Sequence, residues 1–169
     1  MNHAIDQVTS NAGSNASSNA ASHETGKPAT RARGKRDVVF PPGRQALYEQ
    51  NRYSPAVRAD GLLFVSGQVG SRADGSPEPQ LEAQVRLAFE NLNAILGAAD
   101  CSFDDVVDVT VFIVNPESTF QRIWDLVQAE YWGEAPHPTV TAVGVTWLYG
   151  FQFEIKVVAR LPQPALQQA

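Results

Sequence analysis

The chain has one cysteine and one methionine in 169 residues. Nowhere does an apolar run approach the roughly 20 residues that a membrane span needs. Cys101 alone rules out a disulfide framework within the chain and fits a reducing compartment. Of the three histidines only His137 lies beyond the first 30 residues. One histidine and one cysteine do not make a ligand set, so no metal site is expected. No apolar segment of the kind that opens a secretory signal is present, and a cytoplasmic location is expected. Basic charge is also scarce where it would matter. Residues 1–36 hold five Lys or Arg against two acids, leaving eight basic and 16 acidic groups for residues 37–169. Nucleic-acid affinity comes largely from Lys and Arg neutralising phosphates, so an acidic body is a poor partner for nucleic acid and for anionic membranes.

What is present divides into a tail and a body. Residues 1–30 are rich in Ser, Asn and Ala and nearly free of large apolar groups. Such a composition cannot bury enough surface to offset the entropy of ordering, so residues 1–36 are expected to be a disordered tail. The run RARGKR at 31–36 reads as a solvated linker. Residues 37–169 form the second unit, a single domain.

Two stretches of the body have helical spacing. In 81–99, Leu81, Val85, Phe89, Leu92, Ile95, Leu96 and Ala99 share a stripe. In 118–133, Phe120, Ile123, Trp124, Val127 and Tyr131 do so, with Ser118 and Gln121 as a capping box and Gly133 as the stop. Strand patterns surround them: YSPAVRAD and LLFVSGQV flank the hairpin turn Asp60-Gly61, and VVDVTVFIVN follows at 106–115. TVTAVGVTWL at 139–148 and FQFEIKVVARL at 151–161 are split by Tyr149-Gly150. Phe151, Phe153, Ile155, Val157 and Ala159 alternate with a mostly polar set, giving one core face. The order is ββαβαββ, with a short strand possible at 38–40. It predicts an α+β fold with two helices on one face of a mixed sheet. The other face then needs cover, which symmetric association with further copies would supply.

The segments NRYSPAVRADGLLFVSGQVG, AQVRLAFENLNAILGAAD, SFDDVVDVTVFIVNPESTF and TAVGVTWLYGFQFEIKVVARLP resemble, in the same order, the YjgF/RidA family. It is also called the endoribonuclease L-PSP or reactive intermediate deaminase family. The resemblance spans about residues 38–162. It implies a chorismate-mutase-like fold, a homotrimer, and small-molecule sites in the clefts between subunits. Better-known members release ammonia from 2-enamine and 2-imine acids, without metal or cofactor.

The resemblance also implies roles for particular residues. Ser66 and Gly67 would line the cleft, with a backbone N–H facing the ligand. A glycine there admits close approach, or else merely relieves a bulge. Tyr53 would close one wall, or be a core aromatic with its hydroxyl at the surface. Glu154 would orient a water or take a proton, or else pair with a cation such as Lys156, two residues away on the same face.

One family feature is missing. Its deaminases hold the substrate carboxylate with an arginine before the fourth strand, and alignment on Val143-Gly144-Val145 puts Val140 there. No Arg or Lys occurs in 133–155. Arg52, beside Tyr53, and His137, held between two prolines, are the candidate substitutes, each with a plain surface role as the alternative. The loop NPESTF leaves Asn115, Glu117 and Ser118 as alternatives for a polar group at the cleft. Cys101 reads as an inert small residue. Three functions remain: a Rid-type enzyme acting on an imine or enamine with altered carboxylate recognition, a non-catalytic metabolite-binding trimer, and a ribonuclease. An acidic body without a histidine pair disfavours the last.

Overall fold

In the computed structural model the described residues are 35–163. Nearly all of the expected tail, residues 1–34, lies outside them.

Strand β1 (Asp37–Val39) leads into helix α1 (Gln45–Asn51). Strands β2 (Ala56–Ala59) and β3 (Leu62–Val65) form the hairpin, with Asp60 and Gly61 at φ 49° and 78°. Two positive φ values in a two-residue loop match the twist of paired strands, which is why Asp-Gly was legible as this turn. Next come β4 (Gln68–Val69), α2 (Leu81–Gly97), β5 (Val106–Val114), α3 (Pro116–Glu130), β6 (Thr139–Val145) and β7 (Phe153–Arg160). The sheet order is β1-β2-β3-β7-β5-β6, and β4 also pairs with β7. Among the described strands only β5 and β6 run parallel, so the sheet is mixed as expected.

The two long helices cover one face. All seven stripe residues of 81–99 are buried, and so are Phe153, Ile155, Val157 and Ala159 of β7. Phe89 lies between Tyr131, at a ring-centroid distance of 3.8 Å, and Phe153, at 6.2 Å. None of the helices among the described residues is long and apolar enough to cross a membrane.

Several local expectations are corrected. A third helix, α1, was missed because seven residues show less than two turns of periodicity. The capping box at Ser118 is not formed. Helix α3 starts two residues earlier, with Pro116 in its first turn and Asn115 at φ 52° before it. Proline needs no donor there, so the helix begins at the proline. Ser118 Oγ instead donates to the Asn115 carbonyl at 3.1 Å. The helix ends at Glu130, short of Gly133.

Candidate functional site

The site begins with an irregularity. Strand β3 pairs with β7 through Phe64 opposite Val158, and β4 resumes with Gln68 opposite Ile155. Four steps on one strand answer three on the other, so one extra residue is inserted at Ser66-Gly67. That is a β-bulge, a device that bends a strand and re-aims its neighbours. Gln68 is 5% exposed and holds the bulge from inside. Its Nε2 donates to the Ser66 carbonyl at 2.9 Å and the Gly67 carbonyl at 3.1 Å. Ser66 is tied on its other side, where Oγ donates to the Ser54 carbonyl at 2.7 Å and its N–H to that of Pro55 at 2.9 Å. The Gly67 N–H donates to no protein group among the described residues.

Gly67 does more than permit the bulge. A Cβ built on it would overlap the Glu154 carboxylate and reach within 2.9 Å of Glu154 Cγ. The glutamate therefore lies across the bare backbone of Gly67, which sits in the bulge and also lines the cleft. Glu154 is half-buried and has neither a hydrogen bond nor an ion pair among the described residues. The alternative of an ion pair with Lys156 is not formed. Burial pushes the Glu154 carboxyl above the usual carboxylate range, and the positive charge of Lys156 pulls it only partly back.

Around this pair opens a cleft of about 600 Å³. Leu47 and Asn51 of α1, Tyr53, and the turn residues Leu148, Tyr149 and Phe151 form its walls. Tyr53 rests edge-on against Tyr48 with ring centroids 5.1 Å apart. Its hydroxyl is held above the ordinary tyrosine value, first by burial, with Arg44 lowering it and the Glu154 charge raising it. Arg44 is fixed by neutral acceptors: Asn91 Oδ1 at 2.5 Å, Ser71 Oγ at 2.8 Å and the Arg72 carbonyl at 3.1 Å.

The fold thus brings Tyr53, Ser66, Gly67 and Glu154 into one cleft. It does not bring Val140, Arg52 or His137 there within one protomer. Val140 is 38% exposed on the edge strand β6, opposite Val109, which in turn pairs with Val157. Both partners are core residues, so Val140 sits in the helix-side row, while Glu154 faces the other side. Arg52 is the exposed left-handed cap of α1. His137 lines a separate depression with Asp104, Asp105 and Arg160. Asn115, Glu117 and Ser118 do not line the cleft either. Sequence reasoning missed the wall made by Leu148, Tyr149 and Phe151. The aromatic density of WLYGF around a turn was the signal available.

Comparison with known proteins gives a consistent result. The sequence profile described as Endoribonuclease L-PSP matches residues 43–161. The chain is 58% identical over 129 residues to the RutC family protein YjgH of Escherichia coli K12, covering 76% of this chain and 98% of that one. It is 33% identical over 86 residues to a 2-iminobutanoate/2-iminopropanoate deaminase of Mus musculus, covering 50% and 63%. Among solved structures, protein YJGH superposes with a TM-score of 0.73 at 57% identity, covering 78% of this chain and all of that one. A conserved Rid-family protein, YyfA from Yersinia pestis, gives 0.60 at 31% identity, with 64% and 87% covered.

Proposed function

The chain belongs to the Endoribonuclease L-PSP family, also called YjgF/RidA, and on that premise we propose that it is a Rid-type hydrolase of reactive imines and enamines. The observation that carries this reading is the Glu154 carboxylate, half-buried and without a partner among the described residues, set against the bare backbone of Gly67. Such a carboxylate is a competent base for a water molecule. Glu154 takes a proton as water adds to the imine carbon. The nitrogen takes up that proton, and the carbon–nitrogen bond then breaks as the new hydroxyl gives its own proton, by way of Glu154, to the departing nitrogen, so that a carbonyl compound and ammonia leave with both protons of the water on the ammonia. The Gly67 N–H is free to bind an oxygen during the addition. A non-catalytic metabolite-binding role for the same cleft is the second reading, favoured by the missing arginine.

Substrate recognition differs from that of the arginine-bearing deaminases. At Val140 a carboxylate would meet an alkyl side chain instead of a guanidinium. Losing one charged hydrogen bond, roughly 1.5–3 kcal/mol, corresponds to about a 10- to 150-fold weaker transition state. Ammonia release from freshly generated 2-aminoacrylate should therefore be slower by that factor than with an arginine-bearing relative. Equal rates would show that another residue holds the carboxylate.

Association into a homotrimer belongs to the same proposal. Val140 lies at the edge of the sheet and outside the cleft of its own protomer, so any part it plays in binding requires the cleft of a neighbouring copy. On the sheet face away from α2 and α3, Phe64 is 46% exposed opposite Val158, which supports cover by another copy. Sedimentation should give about three times the chain mass of 18.3 kDa. A monomer at micromolar concentration would leave the cleft without its neighbour and sink this part of the reading.

A further inference from the structure

The Gly67 N–H is one end of a single peptide unit. A trans peptide is planar, and its C=O and N–H point in opposite directions. Whatever holds the Ser66 carbonyl therefore aims the Gly67 N–H. The Ser66 N–H and Oγ donate to the Pro55 and Ser54 carbonyls at 2.9 and 2.7 Å, which fixes the residue on its N-terminal side. Rotation about its Cα–C bond is left free. Beyond the plane lies Gly67, and glycine accepts nearly any φ. By itself this peptide is free to flip, exchanging the places of C=O and N–H.

Gln68 opposes the flip. Its side chain is 5% exposed, and its Nε2 donates to both the Ser66 and the Gly67 carbonyls. No backbone N–H among the described residues donates to either carbonyl. Gln68 Oε1 accepts from the hydroxyl of the buried Tyr48 over a long 3.4 Å, which sets the amide the right way round. Two carbonyls and a hydroxyl proton need a donor and an acceptor on one side chain. A carboxylate lacks the first and an ammonium the second. Removing the amide would leave two carbonyls facing the interior without a donor, at a cost in free energy. Turning the Ser66 carbonyl out to the open cleft relieves that cost and withdraws the Gly67 N–H.

We propose that Gln68 is a positioning residue of the hydrolytic site: its amide locks the Ser66–Gly67 peptide so that the Gly67 N–H faces the cleft beside the Glu154 carboxylate. Gly67 and Glu154 line the cleft from the same protomer, so their relation does not depend on a neighbouring copy. The proposal rests on the hydrolase reading for its effect on rate, and not for the lock itself.

The test uses the full chain carrying Gln68→Met, which is similar in length and volume and has no donor. Ammonia release from freshly generated 2-aminoacrylate is read well below the variant's melting temperature, where lost stability alone leaves the rate unchanged. It should fall about 10- to 100-fold, less than outright removal of an oxyanion donor costs. In nitrogen-15-labelled protein the Gly67 amide signal should be single and sharp for the parent, and split or broadened for the variant. Substituting a neighbour merely shifts such a signal. Gln68→Asn draws the same amide back by one methylene and decides by the same two readings if Gln68→Met does not fold. A parental rate, or a single sharp Gly67 signal in the folded variant, would overturn the proposal. So would failure of both variants to fold, since Gln68 would then serve the fold as a whole. No ammonia release by the parent would count against the hydrolase reading instead, and the Gly67 signal alone would decide whether Gln68 locks the peptide.

Discussion

Glu154→Gln should lower imine hydrolysis by about 10²- to 10⁴-fold, the usual contribution of a positioned general acid or base, while leaving the protein at neutral pH as stable as the parent or more so. The two halves share one cause. Burial makes the folded chain hold the Glu154 proton to a higher pH than the unfolded chain does. Between those two values the folded state binds more protons, so stability is full below the unfolded value and falls as pH rises through the folded one. An amide of the same size cannot ionise, and the fall disappears. Lys156 offsets part of the burial effect, so the gain is smaller than burial alone would give. Denaturant unfolding across the weakly acidic range should show a sloping stability for the parent and a flatter one for the variant. A variant that loses stability at neutral pH would mean that the carboxylate is a structural partner of some group, not a poised base.

This division between fold and function follows what could be read in the sequence. Elements fixed by local pattern were legible: the Asp60-Gly61 hairpin, the seven-residue stripe of α2 and the alternation of β7 from Phe153 on formed as expected, while Phe151 lies before the strand and lines the cleft instead of the core. Features set by partners distant in sequence were not. The bulge at Ser66-Gly67 exists only relative to β7, some 90 positions away, and nothing local distinguishes it from a turn. Helix α1 is too short for periodicity, and its Tyr48 is ordered by Gln68 and Tyr53. At the candidate site, family resemblance singled out Tyr53, Ser66, Gly67 and Glu154, which converge in one cleft. Tyr149 was legible only as a turn residue, because its part in the wall depends on α1, distant in sequence, lining the same cleft. Val140 stands apart, since its strand is the sheet edge and its place in any cleft depends on a second copy.

Two glycines three positions apart should respond oppositely to the same added methyl group. At Gly70 a Cβ would overlap the backbone carbonyl of Gln84 in α2 and lie 2.8 Å from its carbon. Gln84 cannot yield, because its Nε2 donates to the Glu78 carbonyl at 2.7 Å and its Oε1 accepts from the Gln152 N–H at 2.7 Å. Gly70→Ala must therefore separate α2 from β4. Overpacking of this kind costs about 1–3 kcal/mol or more, a fall in melting temperature on the order of 5–15 °C. At Gly67 the obstacle is the end of the Glu154 side chain, beside an open cleft. Gly67→Ala should displace the carboxylate at little cost to folding, yet reduce hydrolysis about 10- to 100-fold, since a misplaced base loses its geometry. A double-mutant cycle isolates the cause. In a Glu154→Ala background, Gly67→Ala should leave the residual rate unchanged, because the group it displaces is gone. If Gly67→Ala instead lowers the melting temperature as far as Gly70→Ala, the bulge itself demands glycine, and the close approach of Glu154 is incidental to function.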